Sequence, residues 1–554
     1  MAEMTGAQAF FEVLLKQGIR YVFGNPGTTE LPIMDLFAAR DDITYILALH
    51  EDCALGMAVG YAEATGRAAV VNLHANPGLA HALGNLYNAH RAGTPLVVTA
   101  GQQDTRFMIE EPLLCADMIQ MASQYTKWAW EVRSAAEIPR AMARAFQIAL
   151  APPTGPVFLS LPVDALEGRA DMKFEPITRI GRARPDRSDL QEAASLILNA
   201  QNPAIIAGDR CARSGAVGAL IQLAEIIGAR VHAEPLNSLL VFPTGHPLYA
   251  GPLFPNTKQA QAALSGVDLV ILIGVNNMTP LVYTGDKMIP EGARIIQIDS
   301  DTRELGKNYS AELAMPADPL LAIEDLVQII RGRADREAML ARREQVAAAL
   351  AQMRARFAES AASDAEPLEP AFVARQMRRI APDAAVLVDE SVTSTAFLRT
   401  FFELNEPNSY FYAKGGSLGL GLPAAIGVKL AMPDRQVICA VGDGSALYSI
   451  QSLWTAAHYK LPVRFIIFNN SSYMILKGGL LAMRGESVRR QIFTGMDIAD
   501  PEIDFVKLAQ SMGVAAQRVA RAQQLEASLQ WAINESGPAL LDIAITRDVR
   551  SVLQ

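Results

Sequence analysis

Cysteine is scarce in this chain: four among 554 residues, Cys53, Cys115, Cys211 and Cys439. Their scatter fits neither a metal-ligand spacing nor a disulfide framework, which points to a reducing cytoplasm. Long apolar runs are also missing. Half the residues are hydrophobic, yet no uninterrupted run reaches the ~18 residues of a membrane span. A basic excess is absent as well, since 49 Lys and Arg against 58 Asp and Glu leave a net charge of −9. That balance argues against a nucleic-acid partner. The first residues lack a basic leader and a small-residue cleavage site, and Thr5 with Gln8 reads instead as a helix capping box. The expectation is a cytoplasmic protein with no membrane partner. No GxGxxG turn occurs, which weakens a dinucleotide reading, and no low-complexity segment or clear internal repeat is present.

What is present is organised around residues 436–477, QVICAVGDGSALYSIQSLWTAAHYKLPVRFIIFNNSSYMILK. Two short runs rich in Val and Ile, 437–441 and 463–468, end in polar residues and suit buried parallel strands. The segment at 449–459 has the spacing of a crossover helix. A right-handed β-α-β unit places both polar tips on one sheet edge, where open α/β sheets bind ligands. Asp443 then faces Asn470.

Similar alternation runs through the rest of the chain. Strands are expected near 21–23, 45–49, 69–73, 96–99 and 157–161, then at 204–207, 230–233, 269–273 and 294–298, and finally at 385–388 and 539–545. A polar, basic, Pro-containing stretch at 168–189 and an Ala-, Arg- and Glu-rich, helix-forming but poorly buried one at 331–369 read as connectors. The fold class is therefore α/β, with three domains at 1–167, 190–330 and 370–554, each a parallel sheet flanked by helices.

The tip at 442–445, GDGS, offers the carboxylate of Asp443, and the tip after 468 offers Asn470 with oxygens from Ser471 or Ser472. Such a hard-oxygen set suits Mg²⁺, which completes its octahedron with water and substrate phosphates. Gly442 and Gly444 let the backbone approach a phosphate. In the first block, GNPGTTELP at 24–32 is a tight turn with Thr28 and Thr29 available as donors or caps. Glu51 opens a helix after YILAL, where a first-turn acid is also favoured by the macrodipole. His74 ends a strand in NLHANPG, where an imidazole can exchange protons near neutral pH. His50 precedes Glu51 and should point the other way, either supporting the site residues from behind or packing.

GDGS followed by NN, together with Glu51 and NLHANPG, resembles thiamine-diphosphate-dependent enzymes. The likeness is strongest to the benzoylformate decarboxylase branch, in GNPGTTELP, YILALHE, NLHANPG, PLVVTAGQQ, GLPAAIG, GDGSALYSI and LWTAAHY. The resemblance implies a pyrimidine-binding, a central and a diphosphate-binding domain. Asp443, Asn470 and Ser472 would hold Mg²⁺, and Gly442, Gly444, Ser445, Tyr473, Met474 and Ile475 would surround the diphosphate. Glu51 would hydrogen-bond the aminopyrimidine and promote loss of the cofactor's own C2 proton. His74 and Thr28 would serve catalysis beside Asn25, Pro26 and Gly27, which would contact the cofactor. In the glycine-dense loop AKGGSLGLGLPAAIG at 413–427, Gly416 would supply a backbone carbonyl and Leu418 the wedge that bends the cofactor. The cofactor would lie between two subunits, so the resemblance implies an obligate homodimer, commonly assembled as a homotetramer.

Two departures bear on the outcome. The branch uses a histidine from the central domain, whereas GVNNMTPLVYTGD at 274–286 has none and places Leu281 there. Gly479 stands where an aromatic residue would line the substrate pocket, and Arg484, Arg489 and Arg490 follow it. The leading reading is decarboxylation of a small-molecule 2-oxo acid. The second is carboligation, forming a hydroxyketone with an aldehyde or second oxo acid, as in acetohydroxyacid synthases. A third class is a cofactor-binding protein without turnover.

Overall fold

A computed structural model describes residues 3–360 and 366–548. Three six-stranded sheets, each wholly parallel, carry the chain, and helices cover their faces. In the first, Tyr21–Gly24 lies between Thr44–Leu47 and Ala69–Leu73, followed outward by Leu96–Gln102, Val157–Pro162 and Ala129–Glu131. In the last, Val386–Glu390 lies between Tyr410–Tyr412 and Val437–Gly442, followed by Val463–Asn469, Ala539–Ala544 and Ala515–Val519. Numbered along the chain, both run 2-1-3-4-6-5. Their apolar strands are buried on both faces, as crossover helices require.

That order fixes where a ligand can enter. The first connection leaves the opening strand to one side and the next returns to the other, so a crevice opens at the carboxyl ends of the two strands that part. In the first sheet these ends carry residues 25–27 and His74. In the last they carry Ser391 and Asp443. The central sheet, from Tyr249–Pro252 through Arg230–Ala233, Pro203–Ala207, Leu269–Ile273 and Arg294–Asp299 to Leu313–Pro316, runs 3-2-1-4-5-6.

The first and last sheets meet through two helices, Glu51–Thr65 and Gly421–Ala431, both apolar on nearly every side. Glycines bring them to backbone contact. A Cβ on Gly427 would lie 1.9 Å from the Met57 carbonyl oxygen, and one on Gly60 would lie 2.1 Å from that of Ala424. Gly427→Ala is therefore expected to destabilise the chain by about 3 kcal/mol, read as a lower urea midpoint. The edge strand Thr44–Leu47 is closed by the last domain: Thr455 Oγ1 donates to the Leu47 carbonyl at 3.0 Å, and the Tyr459 hydroxyl donates to that of Tyr45 at 2.9 Å. Buried Lys414 ties the last sheet to the central one, pairing with Asp209 at 2.7 Å and with Glu234.

The first connector holds more structure than its composition suggested, and the second is helical, as its composition suggested. Arg169–Asp171 pairs antiparallel with Glu3–Thr5, and Arg336–Ser360 is a 25-residue helix. The capping box at Thr5 and Gln8 is formed. All four cysteines are free, and burial pushes the thiols of Cys53 and Cys211 up to about 12. Among the described residues no helix is long and apolar enough to cross a membrane.

Candidate active site

The site residues fall into two groups, one at each crevice. In the first domain the strand Tyr21–Gly24 turns through Asn25, Pro26 and Gly27 into a single 3-10 turn, Thr28–Glu30. Asn25 Nδ2 pins this turn by donating to the Ala48 carbonyl at 2.8 Å. His74 leaves the neighbouring strand and comes so close that a Cβ on Gly27 would lie 1.8 Å from its Nδ1. Only glycine fits there.

The group that holds His74 escaped the sequence reading. Glu30 is fully buried, and its carboxylate accepts from His74 Nδ1 at 2.9 Å and the Gly27 N–H at 3.1 Å. It also accepts from Thr29 Oγ1 at 2.8 Å, the Gly101 N–H at 2.8 Å and the Ala75 N–H at 3.3 Å. Five donors compensate a carboxylate that would otherwise be costly to bury. An ionised carboxylate only accepts, so Nδ1 of His74 carries a proton in this contact, and in the neutral imidazole Nε2 carries the lone pair. The imidazole is thus held in one tautomer with its basic nitrogen turned away from Glu30. Thr28 is exposed beside it, and its hydroxyl caps nothing, the role of N-cap falling to Gly27.

Glu51 begins the helix Glu51–Thr65 and is 9% exposed. His50 is its N-cap, with Nδ1 accepting from the Asp52 N–H at 3.2 Å, so its role is more specific than packing. Glu51 Oε2 stands 3.0 Å from Nδ1 of His81, a second residue that the sequence did not single out.

At the other crevice, Val437–Gly442 and Val463–Asn469 are adjacent and in register, with Gly442 opposite Phe468. Asp443 is buried and accepts from the N–H groups of Gly444 at 2.9 Å and Ser472 at 3.2 Å. Asn470 lies beside it, and its Oδ1 is buried with no hydrogen-bond partner. An orphaned carbonyl oxygen next to a buried carboxylate is the expected signature of a cation's ligands. Of the two Ser472 oxygens, the hydroxyl donates to the Met496 carbonyl at 2.8 Å, leaving the carbonyl as the available ligand. Ser471 takes φ +50°, with Asn469 Oδ1 accepting from its N–H at 3.0 Å. The Tyr473 ring lies over Gly444, where a Cβ would come within 2.5 Å of it. Ser445 and Met474 are buried and Ile475 is exposed.

The loop between the crevices takes two left-handed glycines, Gly416 at φ +79° and Gly419 at +99°. Asn88 Nδ2 donates to the Ser417 carbonyl at 2.9 Å and anchors the loop to the first domain. Gly416 is exposed and Leu418 half-buried. Glu390 accepts from the Gly419 and Gly421 N–H groups at 2.7 and 2.6 Å. Leu281 is exposed on a central-domain loop. Arg489 and Arg490 both pair with exposed Glu486, which makes them a surface cluster. Nothing lies within 4 Å of a Cβ placed on Gly479.

Burial raises three carboxyls in this region: Asp443 to about 6, Glu390 to about 7 and Asp52 to about 7. Asp52 and Glu390 set the sign near neutrality. From about pH 6.5 to 8 the folded chain holds protons on them that the unfolded chain has lost, so stability falls as pH rises. The urea midpoint of the cofactor-free protein should drop across that window, and Glu390→Gln should flatten the slope.

Comparison with known proteins matches these parts in order. Residues 4–121 match the N-terminal binding domain of thiamine pyrophosphate enzymes, 190–326 the central domain and 391–543 the C-terminal binding domain. Benzoylformate decarboxylase of Pseudomonas aeruginosa is 34% identical over 542 residues, covering 97% of this chain and 98% of that one. A probable acetolactate synthase large subunit of Methanocaldococcus jannaschii is 29% identical, with coverage of 98% and 92%. The solved 4-hydroxybenzoylformate decarboxylase of Rhodococcus jostii, described as thiamine diphosphate-dependent, superposes with a TM-score of 0.86 at 32% identity. It covers 99% of this chain and 100% of its own. Sheet order, the two crevices and full-length similarity agree: the chain belongs to the thiamine-diphosphate-dependent enzymes.

Proposed function

We propose that this enzyme decarboxylates a 2-oxo acid with an apolar side chain, benzoylformate or a branched aliphatic one, at a site shared by two copies of the chain. The observation that carries this reading is the partly buried Glu30–His74 pair. It presents a basic nitrogen at the same crevice as Glu51, where a substrate oxygen must gain or lose a proton.

Asp443, Asn470 and the carbonyl of Ser472 would hold Mg²⁺, to which the orphaned Asn470 Oδ1 is well suited. When bound, thiamine diphosphate supplies a carbon nucleophile and an electron sink for the pair left behind as CO₂ departs. Glu51 would hold a proton against the aminopyrimidine, and Leu418 would pack against the cofactor. Thr28 would orient the substrate carboxylate, while His74 Nε2 exchanges a proton with the oxygen of the reacting carbonyl. Among the described residues no hydrogen bond or ion pair joins the Glu51 group to the Asp443 group within one chain. In this reading the cofactor would bridge two subunits, in a homodimer or a homotetramer built from it.

Carboligation is favoured by one observation: the loop at 274–286 carries Leu281 and no imidazole. An alkyl group there cannot protonate the carbon released by CO₂ loss, so a second carbonyl has more time to react. Assays of the protein loaded with Mg²⁺ and thiamine diphosphate should yield CO₂ and free aldehyde from benzoylformate or a branched 2-oxo acid. A loaded protein inert to a panel of 2-oxo acids would refute the proposal, and hydroxyketone as the sole product with an added aldehyde would favour carboligation. Glu30→Gln, which keeps shape but gives up the charge holding His74, should lower kcat on the order of 10²-fold.

A further inference from the structure

Besides the oxygen ligands around Asp443, the first-domain crevice gathers a different donor set. His50, Glu51 and His81 offer one ligand atom each, all within 4.8 Å of one another. The two imidazoles stack with centroids 5.2 Å apart. Glu51 and His50 are fixed by their places at the start of the helix Glu51–Thr65, as first residue and cap. His81 ends the short helix Ala75–His81 with about half its side chain exposed, so it has room to adjust.

We propose that these three residues form a second metal site, one that takes a borderline divalent cation such as Zn²⁺ in the cofactor-free protein and blocks activation. Two imidazole nitrogens and one carboxylate, with a position left for water, are a zinc-type set, whereas Mg²⁺ disfavours imidazole. The two crevices would thus sort their cations by ligand softness. The ion would replace the proton shared between His81 Nδ1 and Glu51 Oε2, which is released to solvent. His50 would exchange its hydrogen bond from the Asp52 N–H for a metal bond. The blocking half of the inference rests on the proposed function, since it requires that the aminopyrimidine use Glu51. The binding half does not.

The test uses the full-length protein stripped of metal and thiamine diphosphate. Zn²⁺ is titrated calorimetrically in two buffers of different ionisation heat, and Co²⁺ absorption reports coordination. One Zn²⁺ per chain is expected, with proton release and with binding weakened about tenfold or more by His81→Asn or His50→Asn. His246→Asn, remote from the cluster, should leave it unchanged. Circular dichroism of each variant separates loss of ligand from loss of fold. Absence of Zn²⁺ binding, or binding that neither histidine variant weakens, overturns the site. Thiamine diphosphate with Mg²⁺ should raise the apparent Zn²⁺ Kd in proportion to its concentration. Zn²⁺ held at the cluster but not displaced in this way overturns the blocking role and counts against Glu51 as the pyrimidine's partner.

Discussion

Glu51→Gln should lower turnover by roughly 10²–10⁴-fold, the range that a positioned proton-transfer group contributes, while cofactor affinity stays within about threefold. Glutamine keeps the length of the side chain and a hydrogen bond, so the crevice should still admit the cofactor. What it loses is the carboxyl proton that activation needs. The readout that isolates this step is exchange of the cofactor's C2 hydrogen for deuterium in the loaded protein, which should slow in parallel with kcat. Unchanged exchange with impaired turnover would move Glu51 out of this role. The setting supports the assignment: the carboxylate is 9% exposed and anchored at a helix start.

Asp443→Ala should act on binding. Changing a group that only hydrogen-bonds a metal's ligand costs about 10–100-fold in affinity, so removing a direct anionic ligand should cost about 100-fold or more in the joint affinity for Mg²⁺ and thiamine diphosphate. At saturating concentrations much of kcat should return. The buried carboxylate is held by two backbone N–H groups that would lose their acceptor, so the variant should also be somewhat less stable without ligand. Equilibrium dialysis against Mg²⁺ at fixed cofactor distinguishes the two effects. Unaltered affinity would show that the GDGS tip is merely a turn.

Much of this was legible in the sequence because the physics is local. Strands such as 69–73 and 437–441 announce themselves as short Val- and Ile-rich runs, since parallel strands are buried on both faces. Gly27, Asp443 and Asn470 sit at strand ends, and the topology rules place strand ends at the ligand edge. The edge strand Thr44–Leu47 was expected, but other edge strands were missed. Tyr410–Tyr412, Ala129–Glu131 and Ala515–Val519 are short or partly exposed, so they lack an apolar run to mark them. Glu30 was passed over for a different reason: in GNPGTTELP it reads as an ordinary first-turn acid. Its importance lies in donors from residues 74, 75 and 101, which only the folded sheet assembles. His81 likewise meets Glu51 across 30 residues of chain. Ser472 could be read as a ligand, but which of its oxygens is free depends on Met496, a contact with no signature in the sequence.

The most direct test of the whole account is subunit mixing between two impaired variants, Glu51→Gln and Asp443→Ala, dissociated, reassembled together and assayed at a cofactor concentration that leaves Asp443→Ala unloaded. If one cofactor is gripped by the acid of one copy and the metal ligands of its neighbour, each mixed dimer regains one intact site. Equal mixing should then restore about a quarter of wild-type turnover. Recovery no greater than that of the separate variants would contradict it, placing both ends of the cofactor within a single chain.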